Sequence, residues 1–263
     1  MEIPNNHLSF SSVSCFLRCP RQFYYRYVEG SKVPPAGAML RGRAFHESVE
    51  HNYNAKIATG ADVPVEDARG VAAAAFDRMA DSSEAVWSDD EPRGKALDNA
   101  VACAVEHRTE IAPSVMPALV EQKWSIDLWG DGYTLVGVWD VVDQQEVIGD
   151  SKSWSKPPSA ADVDKDLQLT AYSTAYRALT GRHEGGLRLD GVVLPRQGKT
   201  KLRPAEAKRF STVRTEAENA WFKDLVANVA KGIRAESFPP NPTGWHCSRE
   251  RCGWWSRCAG KRT

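Results

Sequence analysis

An α/β fold is the class this sequence predicts, on three observations. Helical periodicity fills roughly the first 115 residues, and alternating apolar and polar residues then run from about 118 to 154. Helix, strand and helix follow in turn before a cysteine-bearing tail. That order implies a sheet with helices packed on it and an N-terminal helical part beside it. With 263 residues the chain can bury a substantial core, as one large domain or two small ones.

The elements follow from local signals. Residues 8–29 read as two consecutive short helices, Ser11 or Ser12 capping the first and Pro20 opening the second. Phe23, Tyr24 and Tyr27 recur at helical spacing and are assigned to the core. A further helix runs from Arg41 to about Thr59, closed by Gly60, and Pro64 opens another that reaches about Ala80. The polar stretch SDDEPRG leads into a helix from about Lys95 to Ile111, stopped by Pro113. Ala118 begins a strand whose partner, YTLVGVWDVVD, lies beyond a hairpin turn at Asp131-Gly132. The third strand of this meander carries Asp150. A helix from about Ala161 to Leu179 stops at Gly181, and a strand follows near Leu187 to Leu194. The basic, turn-rich RQGKTKLRPAEAKR is expected as a surface loop or irregular hairpin, before a last helix from about Val213 to Arg234. The tail has too much proline, glycine and cysteine for regular structure, and no internal repeat is present.

Composition excludes some classes. Basic and acidic residues number 34 each, so no global field draws the chain to nucleic acid or membrane, and local patches must do that work. No stretch has the apolar length of a membrane span, and MEIPNNHLSF lacks the basic start and apolar run of a signal peptide. The expectation is a soluble intracellular protein with no membrane partner. Six cysteines in such a compartment are expected free or metal-bound rather than paired.

The chemistry concentrates in GVWDVVDQQEVIGDSKSW, residues 137–154. Alternation places Val136, Val138, Asp140 and Val142 on one face, which the valines mark as buried. Asp140 is then a carboxylate in an apolar surface, costly unless paired or bound to a metal. On the next strand Asp150 and Lys152 share a face with Ile148 and Trp154. Two carboxylates and a lysine at the ends of paired strands suit metal-dependent phosphodiester hydrolysis: the acids hold a divalent cation that activates water, and the lysine steers the nucleophile or neutralises developing charge. A D-x-K by itself is better explained by a structural salt bridge, and only the rest of the chain changes that balance.

A second constellation is Cys247, Cys252 and Cys258, spaced C-x4-C-x5-C. Three thiols in an irregular segment suit an iron–sulfur cluster or zinc better than core packing. Cys19 is the preferred fourth ligand, tying the tail to the N-terminal helices, with Cys15 and His246 as rivals; a Cys3His zinc site is the competing chemistry. Cys103, in VACAVEH, is read as a buried, inert thiol.

Together these pieces resemble the RecB-type nuclease family of the PD-(D/E)xK superfamily, and most its cluster-bearing branch, which includes the AddB nuclease domain, CRISPR-associated exonucleases and phage exonucleases. The likeness runs the length of the chain in order. It comprises Ser9 and Ser11 with Cys19-Pro20, Phe23 and Tyr24; Gly42 to His46; Gly137 to Asp140; Asp150 to Lys152; and Gln168, Leu169 and Tyr172, then the cysteines. The resemblance implies a restriction-endonuclease-like core, a central mixed sheet flanked by helices, in one nuclease domain. Its parts would be a helical part at 1–115, the core at 116–235 and a cluster-binding tail at 236–263 closing on it. It implies that Asp140 and Asp150 ligate magnesium or manganese with His46 completing the site, and that Lys152 is catalytic. Gln168 and Tyr172 would border the scissile phosphate or position Lys152. Glu121 lies where some relatives carry an acidic residue that assists the metal. Cys19, Cys247, Cys252 and Cys258 would carry a structural [4Fe-4S] cluster. The x4 spacing departs from the x2 of many relatives, and Ser151 stands where an aromatic residue is frequent.

DNA is the implied partner, with recombination or CRISPR-adaptation proteins as further ones, in the cytoplasm of a bacterial or phage-infected cell. Candidate DNA contacts are Arg41 and Arg43, then Arg196, Lys199, Lys201 and Arg203, and the tail's Arg249, Arg251 and Arg257. Trp154, Trp254 and Trp255 offer stacking surfaces, although packing around the cluster accounts better for the tail pair. The expected function is a metal-dependent exonuclease acting on single-stranded DNA ends. The alternative is a DNA-binding or assembly module with weak or no nuclease activity of its own. No G-x-x-x-x-G-K-[ST] is present to drive unwinding.

Overall fold

The computed structural model describes residues 1–128, 130, 133–198 and 201–258. The Asp131-Gly132 turn and Lys199 lie outside them. A mixed sheet forms the centre. β2 (Pro117–Ile126) pairs antiparallel with β3 (Thr134–Asp143), which pairs antiparallel with β4 (Val147–Trp154). β4 pairs parallel with β5 (Gly186–Val193) and β5 antiparallel with β8 (Glu206–Thr212). The last strand begins inside the segment expected to be a loop. Only its first part makes the small surface hairpin of β6 (Arg196–Gln197) and β7 (Leu202–Arg203).

A short first strand, β1 (His7–Ser9), was not legible either; it pairs parallel with Thr134–Val136 of β3. It has a consequence for the site. β4 stays on β3 only at Val141–Gly149 and Val142–Ile148 and then leaves it for β5, while β1 takes over that edge of β3 lower down. Asp140, Asp150 and Lys152 stand where the two strands part.

Helices cover both faces. On one side α1 (Phe10–Arg18), α7 (Leu167–Thr180) and α8 (Glu216–Arg234) enclose a core that includes Phe23, Leu135, Trp139, Ile148, Leu169 and Phe222. On the other, Phe45, Val49 and Tyr53 of α3 (Gly37–Thr59) pack on Val141, Val192 and Leu194. α4 (Val65–Asp81) and α5 (Arg93–Glu106) join α3 around Phe76 and a run of buried alanines. Two-sided cover explains why alternation misassigned β3. Leu135 and Trp139 are fully packed, whereas Val136, Val138 and Asp140 are half-buried.

Local chemistry sets the helix ends. Ser9, not Ser11 or Ser12, caps α1, in a reciprocal box with Ser12. α2 (Pro20–Phe23) opens on Pro20 and continues as a π-helical turn, Tyr24–Val28. α3 begins one turn before the expected Arg41 and closes on Gly60 at φ 78°. The helix expected over 161–179 is two: α6 (Ala160–Val163) and α7. Asp166 caps α7 with its carboxylate, and Arg214 donates to the carbonyls of Val163 and Asp166 at the break between the two helices. Among the described residues of the tail, Trp255–Cys258 form a single helical turn, α9. No described helix is long and apolar enough to cross a membrane.

Candidate active site and cysteine cavity

Asp140 sits where β3 is unpaired on its β4 side. Its Oδ2 accepts the Ser151 backbone N–H at 2.9 Å, so a side chain replaces the ladder there. The same oxygen lies 3.3 Å from Nδ1 of His46, brought in by α3. On the other neighbour of β3, Glu121 falls opposite Asp140, between the pairs Val120–Val141 and Gln122–Trp139. Its backbone is left-handed, φ 46°, which for a non-glycine residue costs about 1–3 kcal/mol and clusters at functional sites. Alternation along β3 slips at this level, since Trp139 and Val142 enter the same core.

Ligand atoms of His46, Glu121 and Asp140 converge within 4.8 Å of one another. Carboxylates set directly opposite across two strands repel. Burial, with Asp140 and Glu50 nearby, pushes the Glu121 carboxyl up to about 7. Burial also lowers His46 below its ordinary value, Asp140 opposing, which keeps the imidazole neutral and able to coordinate. Two carboxylates and a neutral imidazole fit a magnesium- or manganese-class cation.

Asp150 is 1% exposed, and both its oxygens take the Lys152 ammonium, at 2.9 Å each. Burial raises its pKa, the Lys152 charge opposes and Asp140 adds to the rise. Burial depresses Lys152, but Asp150 and Asp140 outweigh it and its net shift is upward. Lys152 also donates to Oε1 of Gln168 at 3.1 Å, and Gln168 Nε2 donates to the Tyr172 hydroxyl at 2.9 Å. That hydroxyl stands 3.4 Å from an oxygen of each aspartate. The cap of Asp166 fixes the first turn of α7, which presents Gln168 and Tyr172 one turn apart. The structure therefore brings His46, Glu121, Asp140, Asp150, Lys152, Gln168 and Tyr172 together. Asp150 is engaged by the lysine and stands outside the converging trio, a division that spacing did not predict.

His46, Glu121, Asp140 and Lys152 open onto a cleft of about 1230 Å³ walled by α3 and α4. Arg43 and Arg78 line it, as do Glu50 and His51. Glu50 was missed, although it lies one helical turn beyond His46 on α3. Arg41 does not face this cleft: it is 8% exposed and paired with Glu91, which also accepts from Asn99. Trp154 is no stacking platform either. Its ring lies against Phe210 and over Gly191, where a Cβ would stand 2.2 Å from it.

A second, smaller cavity is lined by Cys19, Cys247, Cys252 and Cys258, together with His246, Gln22, Trp254 and Trp255. Cys19 caps the junction of α1 and α2, and the tail folds back over it. Gln22 Nε2 donates to Cys252 Sγ at 3.2 Å, and the Asn241 backbone to Cys19 Sγ at 3.4 Å. Cys15 is 2% exposed in the main core and does not line this cavity. Trp254 stacks on Tyr25 and donates to Ser31, while Arg257 pairs with Glu29 and lies over Tyr25. Arg251 lies over Trp245. Arg257 and Trp254 thus hold the tail down. Arg196, Lys201, Arg203 and Arg249 are exposed, and Cys103 is buried as expected.

Residues 7–259 match the family model of the PD-(D/E)XK nuclease superfamily, and the chain belongs to that superfamily. The fold is similar to that of a presumed exonuclease from Eubacterium rectale, at TM-score 0.62 and 12% identity over 96% of this chain and 88% of that one. At that identity the likeness is one of fold. A further solved structure, SSO0001, aligns at TM-score 0.44 and 14% identity over 98% of this chain and 88% of that one, too weakly to carry an argument. No curated protein matches the chain.

Proposed function

We propose that this nuclease is a magnesium- or manganese-dependent deoxyribonuclease of RecB type, a single domain that shortens DNA from its ends with preference for single strands. The observation that carries the reading is the junction of β3 and β4. There Lys152, held from behind by the buried Asp150, and the trio His46, Glu121 and Asp140 face one open cleft. His46, Glu121 and Asp140 would hold the cation, with Asp150 as the adjoining carboxylate. The cation would supply Lewis acidity at the phosphate and a more acidic bound water. Lys152, aligned by Asp150 and Gln168, offers its ammonium to the attacking water or the developing charge. Gln168 and Tyr172 keep it in register, and Arg43 supplies a cationic contact beside the site. Preference for ends and for single strands rests on the family resemblance, as does a place beside recombination or CRISPR-adaptation proteins.

The cysteines we read as the seat of a [4Fe-4S] cluster. All four line one cavity, which supports a shared metal group. The choice of a cluster over a single zinc ion rests on the family resemblance.

The test is degradation of an end-labelled single strand by protein purified without oxygen, its iron measured first. With manganese or magnesium, wild type should shorten the strand progressively. Lys152→Ala should lose at least about 100-fold in rate, the lower end of what a positioned proton-transfer group contributes. If both proteins are inert while iron is present, the nuclease reading fails on this substrate.

A further inference from the structure

His246 is 7% exposed, and neither ring nitrogen has a hydrogen-bond partner. It lines the cavity of the four cysteines. The ring is held in place: a Cβ on Gly244 would stand 2.4 Å from Cε1, and Trp245 packs edge-on at 5.9 Å. A buried imidazole with both nitrogens idle is costly, so its partner belongs to whatever the cysteines hold. Four thiols already suffice for a cubane's four irons, which leaves the imidazole as a fifth group with an N–H to donate. The sulfurs on this wall are acceptors of that kind. Cys252 takes the Gln22 amide and Cys19 the Asn241 backbone.

The geometry points to His246 as a positioning residue that donates an N–H hydrogen bond to a sulfur of the cysteine-held cluster. It holds the cluster against loss and sets how readily it accepts an electron. Hydrogen bonds to sulfur are a main determinant of iron–sulfur potentials, and such outer partners also govern how well a metal group is retained. The inference rests on the cluster reading above.

The experiment compares full-length wild type, His246→Phe and His246→Gln, purified without oxygen. Phenylalanine keeps the ring packing and removes both nitrogens; glutamine restores an N–H. The expected result is equal iron in all three. His246→Phe should bleach several-fold faster in air and titrate at a more negative potential, and His246→Gln should lie nearer wild type. With 15N-histidine, pulsed electron paramagnetic resonance of wild type reduced by one electron from dithionite should show the weak coupling of a hydrogen-bonded nitrogen. Iron-replete variants that match wild type overturn the inference, and so does the strong coupling of a coordinated nitrogen. Wild type that takes up no iron overturns the cluster reading and this inference with it.

Discussion

Glu121 concentrates the residue-scale argument. It opposes Asp140 across two strands, in a left-handed backbone conformation, with its carboxyl raised to about 7. In the unfolded chain it titrates near its ordinary 4.5, so between these values the folded state holds a proton that the unfolded state has released. Stability of the metal-free protein therefore falls as pH rises from about 4.5 to about 7, and Asp150, also raised, acts in the same sense. Manganese competes with that proton, so its affinity should climb over the same interval and level off above it. Glu121→Gln should flatten both slopes without abolishing the first, since Asp150 persists. Thermal melts and manganese titrations across pH would check this; identical slopes in the two proteins would refute it.

At the scale of elements, the site is made by a strand changing partners. β4 leaves β3 beyond Val141–Gly149, and the freed Ser151 N–H turns to the Asp140 carboxylate. The neighbouring β2–β3 ladder must lie close for Glu121 to reach Asp140, and Gly137 permits it. A Cβ there would stand 2.2 Å from the Trp124 ring, itself tilted against Trp139. Gly137→Ala should overpack this layer and destabilise the fold by about 1–3 kcal/mol in urea unfolding, with the m-value unchanged. Wild-type stability in the variant would show that the ladder has slack.

Across the whole molecule, the chain's two ends meet at the cysteine cavity. Cys19 comes from the first helices and the other three thiols from a tail with little regular structure of its own. Ordering such a segment costs conformational entropy that few buried contacts offset. On the proposed cluster reading, the metal group would act as the clasp. Cys19→Ser should lose iron and expose residues after Phe238 to limited proteolysis, whereas Cys15→Ser should keep its iron, because Cys15 lies in the core. Retained iron and a protected tail in Cys19→Ser would remove Cys19 from the ligand set.

The sequence by itself determined the fold class and nearly every helix, because apolar periodicity, Pro20, Gly60 and the caps act over a few residues. It also placed Asp150 and Lys152 side by side, since neighbours on one strand share a face by geometry alone. Only the tertiary structure decided what those groups meet. β1 and β8 are held by pairings with distant strands that leave no local mark. The burial of Asp140 turned on helices covering both faces of the sheet, which a two-residue period cannot report. That Glu121 joins His46 and Asp140 while Asp150 turns to Lys152, and that Arg41 pairs with Glu91 away from the cleft, are products of long-range packing. The same holds for His246: the sequence offered it as a rival ligand, and the fold set it against the cysteines with both nitrogens unpartnered.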